Sequence, residues 1–298
     1  MTRLCSSFLT LLTVSTALCS AQVPAVTIPG TRQYEVHATA GDRQYRVFVA
    51  VPQGYLADTS ARYPVLYVLD GNDAFPLAVE AQRYLQVQRE IPPLIVVGIG
   101  YPVEYYSETL VQRYQDYTPS ADRRADSTFA PSVAQARPDH KLEPLHSGGA
   151  PTFQAALRND IIPLIDRMYR TTTDRGLWGH SFGGAFAMYT LFTAPDVFAR
   201  YALCSPSLWW NGGDLYALER NFAATHRRLD ARVFVSVGAS EGRQMLSGVD
   251  SLTRLLQQRA YTGLELTAST FDGETHMSSV PAAMSRSLRV LYGSASRR

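Results

Sequence analysis

The sequence predicts one α/β domain: a mostly parallel central sheet flanked by helices on both faces and entered through an antiparallel hairpin. Three observations carry this. Short, near-continuous apolar runs recur, such as Tyr63 to Leu69 and Arg232 to Val237, the pattern of strands buried on both faces. Segments with helical apolar spacing alternate with them. Between two of these elements sits Gly179-His180-Ser181-Phe182-Gly183, with Gly184 behind it, the layout of a sharp strand–turn–helix corner. At 298 residues the chain can bury a large core. No repeat is visible, and no Pro/Ser-rich linker separates two complete patterns, so residues 22–298 read as a single domain.

The N-terminus reads as a targeting segment spanning residues 1–21. Met1-Thr2-Arg3 is a short basic start, Phe8 to Leu18 is apolar but too short to span a bilayer, and Cys19-Ser20-Ala21 offers small residues for cleavage before Gln22. Cys19 as a lipid-bearing cysteine is disfavoured by the bulk of Leu18 before it. The expectation is an exported protein, periplasmic or secreted. Of three cysteines, Cys5 and Cys19 then leave with the signal. Cys204 remains alone, so no disulfide staples the fold.

Gln33 to Ala40 and Arg43 to Val51 alternate apolar and polar residues around Gly41-Asp42, a β-hairpin. Tyr63 to Leu69 is a buried strand ending in Asp70-Gly71-Asn72-Asp73. Phe75 to Gln88 suits a helix, and Leu94 to Gly98 is the next strand. Residues 102–150 change character. Tyrosines sit among Arg113, Asp116 and Pro119, and from Ser120 to Gly149 the chain is rich in Pro, Ser, Ala and charge. That stretch reads as an aperiodic insertion or lid at about 119–150. Helical spacing resumes from Phe153 to Met168, with Pro163 as a kink.

Gly176 to His180 leads into the corner, and Ala185 to Phe192 reads as a small-residue amphipathic helix. Tyr201 to Cys204 is a strand ending in Ser205-Pro206-Ser207-Leu208-Trp209-Trp210. Leu215 to Phe222 is helical, Arg232 to Val237 is a strand ending before Glu241, and Val249 to Arg259 is helical. Leu264 to Phe271 is the last strand, followed by Asp272-Gly273-Glu274-Thr275-His276 and a closing helix from Pro281 to Tyr292.

Chemistry is expected at Ser181. A tight corner holds a serine clear of the sheet beside a helix N-terminus, whose free N–H groups favour negative charge. Gly179 and Gly183 supply the lack of bulk and Gly184 lets the helix pack closely. A serine hydroxyl needs a base, and the base an orienting acid. Six histidines compete. His276 follows the last strand, where a base is presented to the corner. His180 shapes the turn, His37 is structural, His140 and His146 lie in the insertion, and His226 is at the surface. Glu241, after the penultimate strand, is the first choice for the acid, with Asp272 and Glu274 as rivals. An oxyanion needs two N–H donors. Phe182 supplies one, and Gly71 or Asn72 the other.

Composition narrows the remaining options. Hydrophobic content of 46% with 18% charged residues is that of a folded globular protein. A formal charge of +2, without a basic run, gives no footprint for nucleic acid. No later stretch is a membrane span. No histidine–cysteine spacing suggests a metal, and no cofactor is implied.

With these residues in hand, the chain resembles the putative-esterase family of α/β-hydrolases, which includes esterase D-type enzymes, siderophore esterases and feruloyl or acetyl-xylan esterases. Besides the Ser181 corner, the resemblance rests on Val68-Leu69-Asp70-Gly71, Arg113-Asp116-Tyr117-Thr118-Pro119, Gly148-Gly149, Ser205 to Trp210, and Gly273 with His276. It implies the α/β-hydrolase fold and a serine esterase whose triad falls on Ser181, Glu241 and His276. The Arg113 segment and the tryptophan pair look most like the siderophore-esterase branch. There Arg113, Trp209 and Trp210 would hold an anionic, catechol-bearing small-molecule ester. Residues 120–147 depart from the family. The plain alternatives are an Arg113–Asp116 ion pair, a tryptophan packed in the core, and an inert buried Cys204. Two other functions fit the same pattern: a non-catalytic scaffold that binds a siderophore or glycan, and an acyltransferase.

Overall fold

A computed structural model describes residues 26–103, 106–136 and 144–293. The targeting segment read at residues 1–21 and His140 lie outside the described residues. Eight strands form one sheet in the order β1-β2-β4-β3-β5-β6-β7-β8. The hairpin is present as β1 (Thr31–His37) and β2 (Gln44–Ala50), paired antiparallel around Gly41 and Asp42, both at positive φ. β2 also runs antiparallel to β4 (Ile95–Gly100), and every later pairing is parallel.

The central strands β3 (Tyr63–Val68), β5 (Thr171–His180), β6 (Arg200–Cys204) and β7 (Arg228–Gly238) carry the apolar runs that predicted them. Those runs are buried because helices cover both faces. On one face lie α1 (Gly71–Val87) and α9 (Ser279–Tyr292), over Leu66, Val68, Trp178 and Phe234. On the other lie α4 (Ala150–Ala156), α5 (Ile162–Met168), α6 (Phe182–Thr193), α7 (Asp214–Thr225) and α8 (Arg243–Arg259). β8 (Thr262–Phe271) is the far edge and is mostly exposed. No helix among the described residues is long and apolar enough to cross a membrane.

Two expectations are corrected and a third takes a specific form. The helix after the Ser181 corner is not amphipathic: α6 is buried on every side from Gly183 to Phe192, as a helix apolar all round must be. The stretch from Ser120 to Gly149 is not aperiodic throughout, and a helix precedes it. The helix before it is α2 (Tyr106–Tyr117), and the one within it is α3 (Arg123–Ala136). Asp122 caps α3, its Oδ1 accepting the N–H of Arg124 and Ala125 at 3.0 Å each. Ala125, Phe129 and Val133, spaced by four, form the stripe that packs inward. The predicted kink near Pro163 takes the form of a π-helical turn, Leu157–Ile161, joining α4 to α5 just ahead of the residue that lacks an N–H.

Candidate active site

The C-terminal ends of the parallel strands meet at Ser181, between β5 and α6. Its backbone has φ 60° and ψ −118°, a region a side-chain-bearing residue enters at a cost of about 1–3 kcal/mol. The corner is held on both sides. Ser181 N–H donates to Cys204 O at 2.9 Å, and Ser181 O accepts from Ala185 N at 3.0 Å and Ser207 N at 3.1 Å. Gly179 is required: a Cβ there would lie 2.2 Å from Gly183 O. Gly184 is tight, at 3.0 Å from Cys204 O and Pro206. Gly183 is not cramped, because its nearest neighbours would stand at 3.5 Å, so the corner relies on two glycines rather than three.

His276, in the loop after β8, is brought to the same place. Its Nδ1 lies 2.7 Å from Glu241 Oε2. The other oxygen of that carboxylate, Oε1, accepts Ser205 Oγ–H at 2.5 Å and Gly238 N–H at 2.8 Å. Burial pushes the Glu241 pKa up, but the bonds from His276, Ser205 and Gly238 outweigh it and hold the carboxyl below its usual value. Of the rival carboxylates, Glu274 accepts from Ser278 Oγ instead, and among the described residues Asp272 makes no hydrogen bond or ion pair with His276. Ser205 was not singled out from sequence. It follows the C-terminal end of β6 in the left-handed region at φ 42°, and that position at a strand end is the signal that could have found it.

The Ser181 hydroxyl makes its hydrogen bond to Ser207 Oγ, at 3.4 Å, rather than to His276. Ser181 and His276 nevertheless line two grooves together, one on each side. The larger, about 540 Å³, lies between α1 and the start of α9 and includes Asp70, Asp73, Arg113, His180 and Met277. The smaller, about 410 Å³, includes Ser207, Trp209, Glu241 and Met245. His180 is buried with its ring centroid 4.5 Å from that of His276. Burial first, and then His276, push its pKa down to about 3, so it stays uncharged.

Phe182 and Gly71 each begin a helix, and their N–H groups have no partner within the chain among the described residues. Asn72 is turned toward β4: its side chain accepts Tyr101 N–H at 2.8 Å and donates to Tyr101 O at 3.0 Å. The Asp70 N–H is likewise committed, donating to Tyr117 Oη at 3.1 Å.

Arg113 lines the larger groove, but its partner is not Asp116. It grips Asp70 with Nε at 2.7 Å and Nη2 at 3.0 Å, and Nη2 also reaches His180 O at 3.4 Å. Asp116 is buried elsewhere, 3.4 Å from Arg43 and accepting Tyr101 Oη–H at 3.2 Å. The two tryptophans part company. Trp209 is half-buried, lines the smaller groove and stacks on Phe129 of α3. Trp210 is fully buried among Tyr114, Phe182 and Trp209, with Nε1 donating to Ser120 O at 3.1 Å. Enclosed on all sides, Trp210 cannot serve as the substrate contact expected of it. Cys204 is buried, and burial pushes its thiol up to about 12, which leaves it inert. His146 and His226 are exposed, as expected, and so is His37, the strand position read as structural. No cluster of His, Cys, Asp and Glu among the described residues could hold a metal ion.

Known proteins resemble this chain in sequence and fold. The family model described as "Putative esterase" matches residues 38–129 and 119–278. The chain is 31% identical over 275 residues to the ferri-bacillibactin esterase BesA of Bacillus subtilis, covering 89% of this chain and 90% of that one. It is 31% identical over 209 residues to the apo-salmochelin esterase of Escherichia coli, covering 65% and 61%. The crystal structure of the BES protein from Bacillus cereus superposes with a TM-score of 0.75 at 30% identity, over 91% of this chain and 99% of that one.

Proposed function

The chain belongs to the putative-esterase family of α/β-hydrolases and is an ester-hydrolysing enzyme; from that premise we propose that it is a serine carboxylic-ester hydrolase with Ser181, His276 and Glu241 as its triad. The observation that carries the proposal is the convergence of three parts on one ridge: a serine held at φ 60°, a histidine beside it, and a buried carboxylate 2.7 Å from that histidine's Nδ1.

In the proposed reaction, Ser181 Oγ attacks the ester carbonyl while His276 Nε2 takes its proton. Glu241 accepts the Nδ1 hydrogen, fixes the ring and stabilises the imidazolium. The N–H groups of Phe182 and Gly71 receive the oxyanion, each donor being worth about 3–4 kcal/mol in such sites. Asn72 stays the alternative to Gly71, because its bonds to Tyr101 engage its side chain and not its backbone N–H. The tetrahedral adduct collapses as His276 returns the proton to the leaving alcohol. Water then attacks the acyl-enzyme with the same base, and the acid is released as Ser181 regains its proton.

The substrate proposed is a siderophore-type ester, or another aromatic or acyl ester, after the activities for which the relatives are named. Trp209 in the smaller groove is the aromatic contact proposed for it. Export, read from residues 1–21, would place the reaction outside the cytoplasm.

The test is direct. Ser181→Ala should abolish hydrolysis of p-nitrophenyl acetate with circular dichroism and Tm unchanged, and a fluorophosphonate probe should label the wild type alone. Residual turnover in the variant, or labelling elsewhere, would refute the assignment.

A further inference from the structure

The Ser181 hydroxyl has a neighbour that the triad does not use. Ser207 Oγ lies 3.4 Å from Ser181 Oγ, and that is the one hydrogen bond either hydroxyl makes among the described residues. The neighbour is firmly placed. Ser207 follows the end of β6 through Ser205, held at φ 42°, and Pro206. Its backbone N–H donates to Ser181 O at 3.1 Å, while Cys204 O accepts the Ser181 N–H at 2.9 Å. The turn after β6 and the Ser181 corner are thus joined on both sides, and so closely that a Cβ on Gly184 would stand 3.0 Å from Pro206. Ser207 is only 2% exposed, yet it lines the smaller groove beside Trp209 and Glu241. Its hydroxyl stands at the reacting atom and out of bulk water, where a hydrogen bond is electrostatically stronger.

The direction of this bond follows from the protons. A hydroxyl donates one hydrogen and accepts two. In the resting chain either serine can be the donor. Once His276 has taken the Ser181 proton, Ser181 Oγ carries no hydrogen, whether as attacking oxygen or as ester oxygen, and it can only accept. Ser207 is then the donor.

How much the bond matters depends on the acceptor. The oxygen of a serine hydroxyl already accepts well, so the bond gains little when that oxygen attacks. In the acyl-enzyme the same atom is an ester oxygen, whose lone pair is drawn toward the carbonyl, and it accepts poorly. When the second tetrahedral adduct collapses, the C–Oγ bond breaks and its electron pair returns to Oγ. His276 then delivers to Oγ the proton it took from water. Negative charge builds on Oγ in that step, and a donor beside it gains most there.

We infer that Ser207 is a further catalytic residue, whose hydroxyl donates to Ser181 Oγ as that oxygen leaves the acyl group and so speeds deacylation rather than acylation, a role that rests on the serine-esterase reading of Ser181.

Ser207→Ala tests it on the full chain with p-nitrophenyl acetate. Stopped-flow release of p-nitrophenolate reports acylation. Decay of the acyl-enzyme, followed by acid quench and intact-mass spectrometry, reports deacylation. The variant should slow that decay about tenfold, the difference between a charge-assisted bond and an ordinary one, and leave acylation within about twofold. In the steady state kcat and KM should fall together with kcat/KM nearly unchanged. Tm should hold, because the backbone bonds of both turns remain. A merely loosened corner would instead lower kcat/KM, since a misplaced Ser181 shows first in its attack on the ester. Equal slowing of the two steps, or acyl-enzyme decay as fast as in the wild type, overturns the role of Ser207 and leaves the esterase reading standing. If Ser181→Ala also hydrolyses the ester, that reading fails and takes the role of Ser207 with it.

Discussion

His276 Nδ1 lies 2.7 Å from Glu241 Oε2, and the second oxygen of that carboxylate is held by Ser205 Oγ and Gly238 N–H. The acid is therefore fixed from behind before it fixes the imidazole. Glu241→Gln should lower kcat by roughly 10³–10⁴ with little change in KM, because the ring loses its tautomer and its countercharge together. Ser205→Ala should act more mildly and differently. It removes one of the bonds that hold Glu241 below its usual pKa, so the acid limb of the kcat profile should move to higher pH. An unmoved acid limb in Ser205→Ala would show that the serine does not tune the acid.

The two adjacent tryptophans should separate cleanly. Trp210→Ala opens a cavity in a filled aromatic cluster and orphans Ser120 O, and should cost about 3–5 kcal/mol in urea unfolding. Trp209→Ala should cost far less stability and instead raise KM for aromatic esters. Equal effects of the two variants on unfolding would contradict their different burial.

Arg113 holds Asp70, and Asp70 immediately precedes the proposed donor Gly71. Arg113→Gln should therefore lower kcat even for an uncharged acetyl ester, by up to about 10²-fold, as misplacement of a reacting group does. If KM for charged substrates changes and kcat for the neutral ester does not, Arg113 is a substrate contact rather than a brace.

Asp116 gives a stability signature. Burial raises its pKa from 3.8 to about 6, with Arg43, Tyr45 and Tyr101 working against that rise. The folded chain thus holds a proton that the unfolded chain has already lost, so this group's contribution is full below about pH 4 and is lost as pH rises through about 6. Wild type minus Asp116→Asn, measured by urea unfolding from pH 4 to 7, should show stability falling with pH in the wild type alone. A difference that does not vary with pH would remove Asp116 as the cause.

Much of this was readable in the chain because it is local. The runs in β3 and β7 and the Gly179 to Gly184 corner declare themselves within a few residues, and the order Ser181, Glu241, His276 follows from which strands they end. What escaped was either non-local or aromatic. Asp70 and Arg113 are 43 residues apart, so nothing in their neighbourhoods announced the pair that stands in place of the alternative Arg113–Asp116 contact. α2 buries Tyr114, Asp116 and Tyr117 in place of an aliphatic stripe, which hides its period. In α3 the Ala125, Phe129 and Val133 spacing was present but diluted by charge. Trp209 and Trp210 are one residue apart and chemically alike, and only the packing of Phe129, Tyr114 and Phe182 tells the wall of a groove from the inside of a core.

α3 touches the site through the ring of Phe129 on Trp209 and Phe182, and none of its residues is fully buried. The sheet that carries Ser181 and His276 therefore asks little of this helix for its own stability. Substitutions on α3 can remodel what rests against Trp209 with small energetic penalty, whereas changes at Gly179 or Gly184 disturb the corner itself. Altering the range of accepted esters and keeping the reaction intact are in this way separable problems, for a lineage under selection as for an engineer.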